Sequence, residues 1–382
     1  MSSISKNGND WKDSVKNYGF VCCIKAFTIT DDSLSNRFLL ISNCLSTYYG
    51  NNAKLYATLN NIDGSIMSIK DKTINFTING INYTRITNNQ GEVSLAINLG
   101  SGEYVVSIFY EDSYNYVIEN VDVIVKSTIE SKNILKTYKN ATQYSAVFYD
   151  NQGKLLKNAD VKFNINGVFY TRSTNSNGIA TLNINLASNT YIITAYNLVT
   201  NEVKSNQITV ISSIKSNDII KYYKNGTQYI ATFYNSEGKL LKNTNVTFNI
   251  NGVFYTRSTN VSGIAKLNIN LNPGSYIITA ENPVTTELHS NLITVLSKLE
   301  ANDTYIKYAD GIDKRKFKVR VLDDLGNVSV NTDVTFNING RFYTRTTDNN
   351  GIAMLTINLG PGSYIITTSG NQQTISNQIV VT

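Results

Sequence analysis

The residues best suited to chemistry recur at one place in a repeated strand. The phrase Tyr-Thr-Arg occurs four times, and in three copies a Phe stands three residues before the Arg. The simpler interpretation is structural, since a guanidinium can lie over an aromatic ring or pair across a sheet. The alternative is a weak ligand site for a sugar or a protein, repeated along the chain and strengthened by multivalency. The candidate ligand-binding residues are Phe169, Arg172, Phe254, Arg257, Phe342 and Arg345.

Catalytic and metal chemistry finds little support in this sequence. His289 is the only histidine, and Lys204 occupies its place in the preceding repeat, so we expect a surface residue. Neither a Ser-His-Asp nor a Cys-His system can be assembled with one His, and no acid recurs between repeats in a way that suggests glycosidase chemistry. The oxygen-rich turn Asn260-Val-Ser-Gly263 and its counterparts have at most one carboxylate each, so we interpret them as glycine-terminated turns, not calcium loops. We therefore expect no enzyme, no cofactor and no metal.

These residues belong to a unit that is repeated four times. The motif Phe-(Thr/Asn)-Ile-Asn-Gly begins at Phe76, Phe163, Phe248 and Phe336, and subtraction of these numbers gives periods of 87, 85 and 88 residues. A period of this length suits an independently folding β-domain better than a solenoid unit. The predicted domains are an atypical and poorly ordered segment 1–43 and four repeats at 44–126, 127–212, 213–297 and 298–382.

Each repeat has the pattern of short antiparallel strands with one wet face. Apolar and polar residues alternate over 246–250 and again over 267–271, and Asn251-Gly252 is a strong type I′ hairpin signal. This turn predicts that Phe248 lies opposite Tyr255, with Phe248 in the core. The phrase around Tyr276 has the spacing of a tyrosine corner, with Ile278 packed on Ala231 where immunoglobulin domains have a disulfide. We predict an all-β chain of tandem immunoglobulin-like β-sandwich modules in an extended rod.

Composition narrows the classes of partner. Only 16% of residues are charged, and we interpret the net charge of +6 as spread over solvated strand faces, without a Lys/Arg run of the nucleic-acid type. No apolar stretch approaches the length of a membrane span, and we find no leader peptide. Cys22, Cys23 and Cys44 lie at or before the edge of the first repeat, which indicates free thiols.

The repeat also resembles a known group of proteins. The phrases 246–257 and 267–280, joined by Gly263-Ile-Ala, are similar to modules of adhesin-like surface proteins of methanogenic archaea, which are Asn/Thr-rich proteins with bacterial-type immunoglobulin-like repeats. The resemblance covers roughly residues 46–382. It implies a non-enzymatic cell-surface protein or stalk fragment that acts in adhesion or spacing, with surface glycans, a cell-wall polymer or another surface protein as partner. A carbohydrate or cell-wall binding protein with one weak site per module is the alternative. Without leader or anchor, we expect a piece of a longer protein.

Overall fold

The computed structural model describes residues 38–61, 69–113 and 116–382, and these residues form strands in four successive runs of eight, which we call modules. The first module contains β1 (Phe38–Ser42), β2 (Leu45–Tyr48), β3 (Lys54–Asn61), β4 (Thr73–Ile78), β5 (Ile81–Ile86), β6 (Glu92–Ala96), β7 (Gly102–Glu111) and β8 (Tyr116–Lys126). The second contains β9 (Ile129–Ser131), β10 (Ile134–Thr137), β11 (Gln143–Phe148), β12 (Asp160–Ile165), β13 (Val168–Ser173), β14 (Ile179–Asn183), β15 (Asn189–Tyr196) and β16 (Val203–Ile211).

The last two modules repeat this order. The third contains β17 (Ile214–Ser216), β18 (Ile219–Tyr222), β19 (Gln228–Phe233), β20 (Asn245–Ile250), β21 (Val253–Ser258), β22 (Ile264–Asn268), β23 (Gly274–Glu281) and β24 (Leu288–Leu296). The fourth contains β25 (Leu299–Glu300), β26 (Thr304–Ile306), a 3₁₀ turn (Ile312–Lys314), β27 (Lys316–Val321), β28 (Asp333–Ile338), β29 (Arg341–Thr346), β30 (Ile352–Thr356), β31 (Gly362–Gly370) and β32 (Gln373–Val381).

Every module consists of a three-stranded and a five-stranded sheet. In the third module the sheets have the orders β17-β19-β22 and β18-β24-β23-β20-β21, and the other modules repeat this connectivity. Strand β18 runs parallel to β24, as β2 does to β8 and β26 to β32, whereas β20 is antiparallel to both β21 and β23. This topology confirms the predicted all-β chain of tandem immunoglobulin-like sandwiches. The extended rod and the autonomy of each module stay predictions.

The inner faces of the two sheets form the core. Phe248 is fully buried, and its ring meets that of Tyr229 edge-on at 5.5 Å between centroids. Ile278 and Ala231 are buried in the same cluster, where apolar packing stands in place of a disulfide, as predicted. The equivalent residues Phe163 and Tyr144 make the same edge-on contact at 5.4 Å.

Local turn chemistry agrees with the sequence. Asn251 and Gly252 have φ of 52° and 79°, and the hairpin they close places Phe248 opposite Tyr255. The hydroxyl of Tyr276 donates to the carbonyl of Asn272 at 2.8 Å, which confirms the tyrosine corner. Asn260 Oδ1 accepts backbone N–H groups from two residues of its own turn, at 2.9 and 3.0 Å. That oxygen therefore serves the turn, as the glycine-terminated interpretation requires.

The first module begins earlier than the sequence suggested. Strand β1 lies inside the segment 1–43 that we expected to be poorly ordered, and Phe38 and Leu40 on it are buried. Strand β1 pairs with β3, and this pairing places the two side chains in the core. The sequence of β3 does not show that it pairs with β1 as well as with β6. Residues 1–37, with Cys22 and Cys23, lie outside the described residues. Cys44 is half-buried.

The chain forms two compact units, and each contains a contact between modules in which a tyrosine packs against a glycine. In the unit with the first module and most of the second, the Tyr48 ring lies 6.2 Å from that of Tyr149, and Asn51 Nδ2 donates to the carbonyl of Asn151 at 2.6 Å. A Cβ on Gly153 would come within 2.2 Å of the Tyr48 ring, so this contact needs glycine there.

The unit with the third and fourth modules builds its contact from equivalent residues. A Cβ on Gly326 would come within 2.3 Å of the Tyr222 hydroxyl, and Asn225 Nδ2 donates to the carbonyl of Asp324 at 3.1 Å. We call each of these contacts a tyrosine–glycine joint.

Candidate functional site

The predicted ligand residues lie on the edge strand of the five-stranded sheet, which is β13, β21 or β29. Their Phe side chains point outward and are the most exposed aromatic groups of the hairpin: Phe169 is 61% exposed, Phe254 70% and Phe342 71%. The first module has Asn82 at this position. Large side chains of this kind are exposed elsewhere on the chain too, but the recurrence of an exposed ring at one place in three modules marks a candidate contact site.

Each Phe begins a row of side chains that crosses the outer face of the sheet. Strand pairing places Phe254 beside Asn249, Asn249 beside Thr279, and Thr279 beside Ser290. Directly paired residues lie on the same face about 5 Å apart, so the four side chains form one line. We call this line the outer row. Its members in the second and fourth modules are Phe169, Asn164, Thr194 and Ser205, and Phe342, Asn337, Thr367 and Ser376.

The polar end of the row is held together by hydroxyl contacts. Thr279 Oγ1 and Ser290 Oγ are 2.9 Å apart, and the equivalent pairs are 3.0 Å apart in the second module and 3.3 Å in the fourth. The row thus combines one apolar ring with an amide and two hydroxyls on a flat, uncharged strip. This chemistry suits a ligand that itself has an apolar face and many hydroxyls.

The structure does not bring Arg into the outer row. Arg257 stands three positions after Phe254, and successive residues of a strand point to opposite faces, so the two side chains lie on opposite sides of β21. The Arg257 guanidinium lies 6.0 Å from the centroid of Tyr255, and that of Arg172 lies 5.7 Å from Tyr170. These contacts confirm the structural interpretation of the Arg in two modules. The predicted combination of Phe and Arg in one site is not formed.

The same Arg makes a second contact that the sequence did not indicate. Arg257 Nη1 donates to the carbonyl oxygen of the residue before it, Thr256, at 2.7 Å. The same bond recurs in every module, from Arg85 to Thr84 at 2.8 Å, from Arg172 to Thr171 at 2.7 Å and from Arg345 to Thr344 at 2.7 Å. We call this contact the edge cap, because it occupies a carbonyl of an edge strand.

Sequence reasoning missed the Asn, Thr and Ser of the outer row. They stand on three strands that are separated by up to 41 residues in the chain, from Asn249 to Ser290, and a repeat-by-repeat comparison of polar positions would have shown them to recur. Recurrence of polar residues on the solvent-facing side of a strand was the signal available in the sequence. The sequence does not show which non-consecutive strands pair, and that pairing is what makes the Asn, Thr and Ser neighbours.

The expectation that the cations are spread out along the chain is wrong at one place. Five of the seven residues from Lys314 to Arg320 are Lys or Arg, and strand β27 directs three of them to one face. This face belongs to the three-stranded sheet of the fourth module and is separate from the outer row.

Several other ionisable groups are buried or half-buried. Lys221 is buried, and its ammonium donates to the carbonyls of Asn225, Thr227 and Ile269 at 2.9, 3.0 and 2.7 Å, while burial lowers its pKa. Burial raises the pKa of Glu119 to about 7. His289 is half-buried beside Ala280 and not on the open surface that we expected.

Two absences can be stated for the part of the chain that the structure describes. Within residues 38–61, 69–113 and 116–382, no three His, Cys, Asp or Glu side chains come together as ligands for a metal ion. The same residues include no helix with the length and hydrophobicity that crossing a bilayer requires.

Comparison with known proteins finds only distant structural similarity. Neither a protein-family model nor a curated protein sequence matches the chain. Similar solved structures include a Ca²⁺-stabilized adhesin with which an Antarctic bacterium binds ice (15% identity, 90% of this chain and 98% of that chain, TM-score 0.20). The I9–I11 tandem of titin is 13% identical, with 66% of this chain and 98% of that chain covered and a TM-score of 0.26. The Bacteroides ovatus protein SGBP-B in complex with a mixed-linkage heptasaccharide is 13% identical, with 90% of this chain and 93% of that chain covered and a TM-score of 0.21. Identities of this size, with TM-scores below 0.5, indicate at most a shared sandwich fold.

Proposed function

We propose that this protein is a non-enzymatic, adhesin-like protein of the cell surface, and that modules two to four each bind neutral glycan weakly through the outer row. The observation that carries the proposal is the Phe of that row, exposed by 61% to 71% in three modules and followed each time by the same Asn, Thr and Ser. A sugar can place its apolar C–H face on the ring and its hydroxyls along the amide and hydroxyl groups.

The geometry also explains why each site is weak. Tight small-molecule sites are concave and bury most of the ligand, whereas the outer row lies on a flat sheet face. Three such sites in one chain raise the effective concentration of the second and third contacts, so avidity can exceed the affinity of one module by about 10² or more. Adhesion to a repeating polymer would make use of that gain.

A second candidate, spacing without binding, rests on a different observation. The tyrosine–glycine joints tie neighbouring modules through rings, amides and glycines that recur in both compact units. A stalk that holds other domains away from an envelope needs such joints and needs no ligand. Under this alternative the exposed Phe residues have no role in retention.

The test measures retention of the full chain on immobilised neutral polysaccharides, for example mixed-linkage glucan and mannan. The triple variant Phe169→Ser, Phe254→Ser and Phe342→Ser should lose most of its retention. A matched control replaces Leu135, Ile220 and Tyr305 by Ser, since these residues are 69%, 71% and 76% exposed at the other edge of the same sheets. Equal retention of the Phe triple and the wild type would overturn the glycan proposal and leave the spacer.

A further inference from the structure

The three-stranded sheet of the fourth module carries a column of cations on its outer face. Lys316, Lys318 and Arg320 alternate along β27 with Phe317 and Val319, which are fully buried. Alternation in a strand directs the three cationic side chains to one side, with about 6.8 Å between neighbours. Three positive charges therefore stand in a line on an exposed surface.

The strands beside β27 give this column a distinct setting. Lys318 pairs with Met354 and Arg320 with Ile352, so an apolar column on β30 runs alongside the cations. On the other side Glu300 approaches Arg320, with 4.0 Å between Oε2 and Nη1. Both side chains of this ion pair are about half exposed, so the pair leaves the guanidinium accessible.

The surface has a shallow, widely open depression. It has a volume of about 360 Å³ and is lined by the three cations and Ile352 together with the polar residues Asn302 and Thr304. Its only acidic lining residue is Glu300, so the depression has an excess of two positive charges. We call this surface the cationic groove.

The column of three cations is particular to the fourth module. At the positions equivalent to Lys316, Lys318 and Arg320, the first module has one cation and the next two have none: Lys54, Tyr56 and Thr58, then Gln143, Ser145 and Val147, and Gln228, Ile230 and Thr232. A solvated strand face in this fold thus does not require cations. The three cations of the fourth module therefore need an explanation specific to that module.

The composition of the groove selects the class of occupant. A line of three cations beside an apolar column complements a chain that has regularly spaced anionic groups and an apolar face, which is the chemistry of an anionic polysaccharide. Nucleic acid fits less well, because the groove offers three cations, whereas a protein whose DNA affinity depends strongly on salt makes about six to ten phosphate contacts. Within the described groove no aromatic side chain is available for base stacking.

We propose that the cationic groove binds an anionic polysaccharide that carries carboxylate or sulfate groups. Lys316, Lys318 and Arg320 contact the anionic groups, and Ile352 and Met354 contact the apolar face of the sugar rings. This binding goes beyond the neutral-glycan proposal and does not depend on it, because the two surfaces lie on different sheets of the sandwich.

The experiment uses the full chain on columns of heparin and of polygalacturonate, eluted with a salt gradient, with single-stranded DNA as a third column. The variant Lys316→Gln, Lys318→Ser and Arg320→Thr introduces residue types that already occur at these positions in modules two and three. It should bind both polysaccharides about tenfold more weakly at low salt, since it loses three charge pairs.

Two controls separate the groove from net charge and from the outer row. The variant Lys162→Gln, Lys215→Gln and Arg341→Gln removes the same total charge from exposed strands elsewhere and should elute close to the wild type. The triple Phe variant of the outer row should also elute unchanged. The proposal is overturned if the wild type is not retained on either polysaccharide, if the charge-matched control loses as much affinity as the groove variant, or if DNA retains the chain more strongly than both.

Discussion

At the scale of single residues, two neighbouring aromatics on one hairpin have opposite roles. Phe248 faces the core and is fully buried, whereas Phe254 lies on the next strand with 70% of its surface in water. The hairpin register decides this difference, because a shift by one residue would exchange every side chain between the two faces. Phe248 therefore stabilises the fold, whereas Phe254 is accessible for binding.

Replacement of Phe248 by Ala should destabilise the third module by about 3–5 kcal/mol, because it removes a ring from a close-packed core and leaves a cavity against Tyr229. Chemical denaturation of the full chain, followed by amide hydrogen exchange in that module, measures the loss. The control Phe254→Ala should change stability by no more than about 0.5 kcal/mol. Similar losses in both variants would contradict the assigned facing of the hairpin.

The Glu119 carboxyl makes a pH-dependent contribution in the first module. Its Oε2 is buried without a hydrogen-bond partner among the described residues, and burial raises its pKa from 4.5 to about 7. A raised folded pKa means that the stabilising contribution is complete below pH 4.5 and is lost as pH rises through about 7. The variant Glu119→Gln should thus raise the melting temperature of this module at pH 8 and lose that advantage at pH 4.

Scanning calorimetry at both pH values tests the sign. Glu92→Gln, an exposed carboxylate on β6, serves as the control and should show no such reversal. A stabilisation by Glu119→Gln that is the same at pH 4 and pH 8 would show that the effect is not one of titration.

At the scale of elements, the edge strand of each five-stranded sheet is protected by its own Arg. The two-residue turn makes Ile250 and Val253 a hydrogen-bonded pair, and hydrogen bonding then alternates along the hairpin, so that Thr256 directs its backbone groups away from β20. Its carbonyl would be available to a strand of another molecule. The edge cap from Arg257 occupies it instead, and such protection of edges is a known means to prevent aggregation.

We expect faster self-association than in the wild type from the quadruple variant Arg85→Ala, Arg172→Ala, Arg257→Ala and Arg345→Ala. Each substitution removes an edge cap and leaves one carbonyl of the edge strand free to pair with another molecule. Light scattering and sedimentation velocity measure the association. The control Lys162→Gln, Lys215→Gln, Lys266→Gln and Lys307→Gln removes four exposed charges and leaves the edge caps intact. Equal rates of association in the two variants would show that net charge, and not the edge cap, prevents self-association.

At the scale of the whole molecule, the link between modules is a packed contact. The tyrosine–glycine joint brings the Tyr48 ring so close to Gly153 that no larger residue fits, and the glycine also has a φ of 79°. Short links alone would limit how far neighbouring modules can separate. The joint adds a preferred orientation within each compact unit.

The variant Gly153→Ala should loosen the joint of the first two modules, since its Cβ would come within 2.2 Å of the Tyr48 ring. Hydrogen exchange of the turn at Tyr48–Asn51 and limited proteolysis near residues 126–128 should both accelerate. Gly167→Ala is a matched control, because Gly167 has nearly the same φ, 77°, but no atom near its added Cβ. Equal acceleration in both would assign the effect to backbone strain and not to the joint.

Apart from the four-fold repeat and the packing of Ile278 on Ala231, what the sequence by itself determined is local. Strand alternation, the Asn-Gly hairpins, the tyrosine corners and the buried Phe248 all follow from residues within about ten positions of one another, where period-two patterning and turn chemistry act directly. What only the tertiary structure decided is how distant strands meet. The outer row joins Asn249 to Ser290, β1 pairs with β3, and Arg257 lies on the face opposite Phe254, because sheet order and strand pairing set these neighbours. The cations of β27 were visible as letters, but their separation onto one face beside Ile352 and Met354 required the folded sheet.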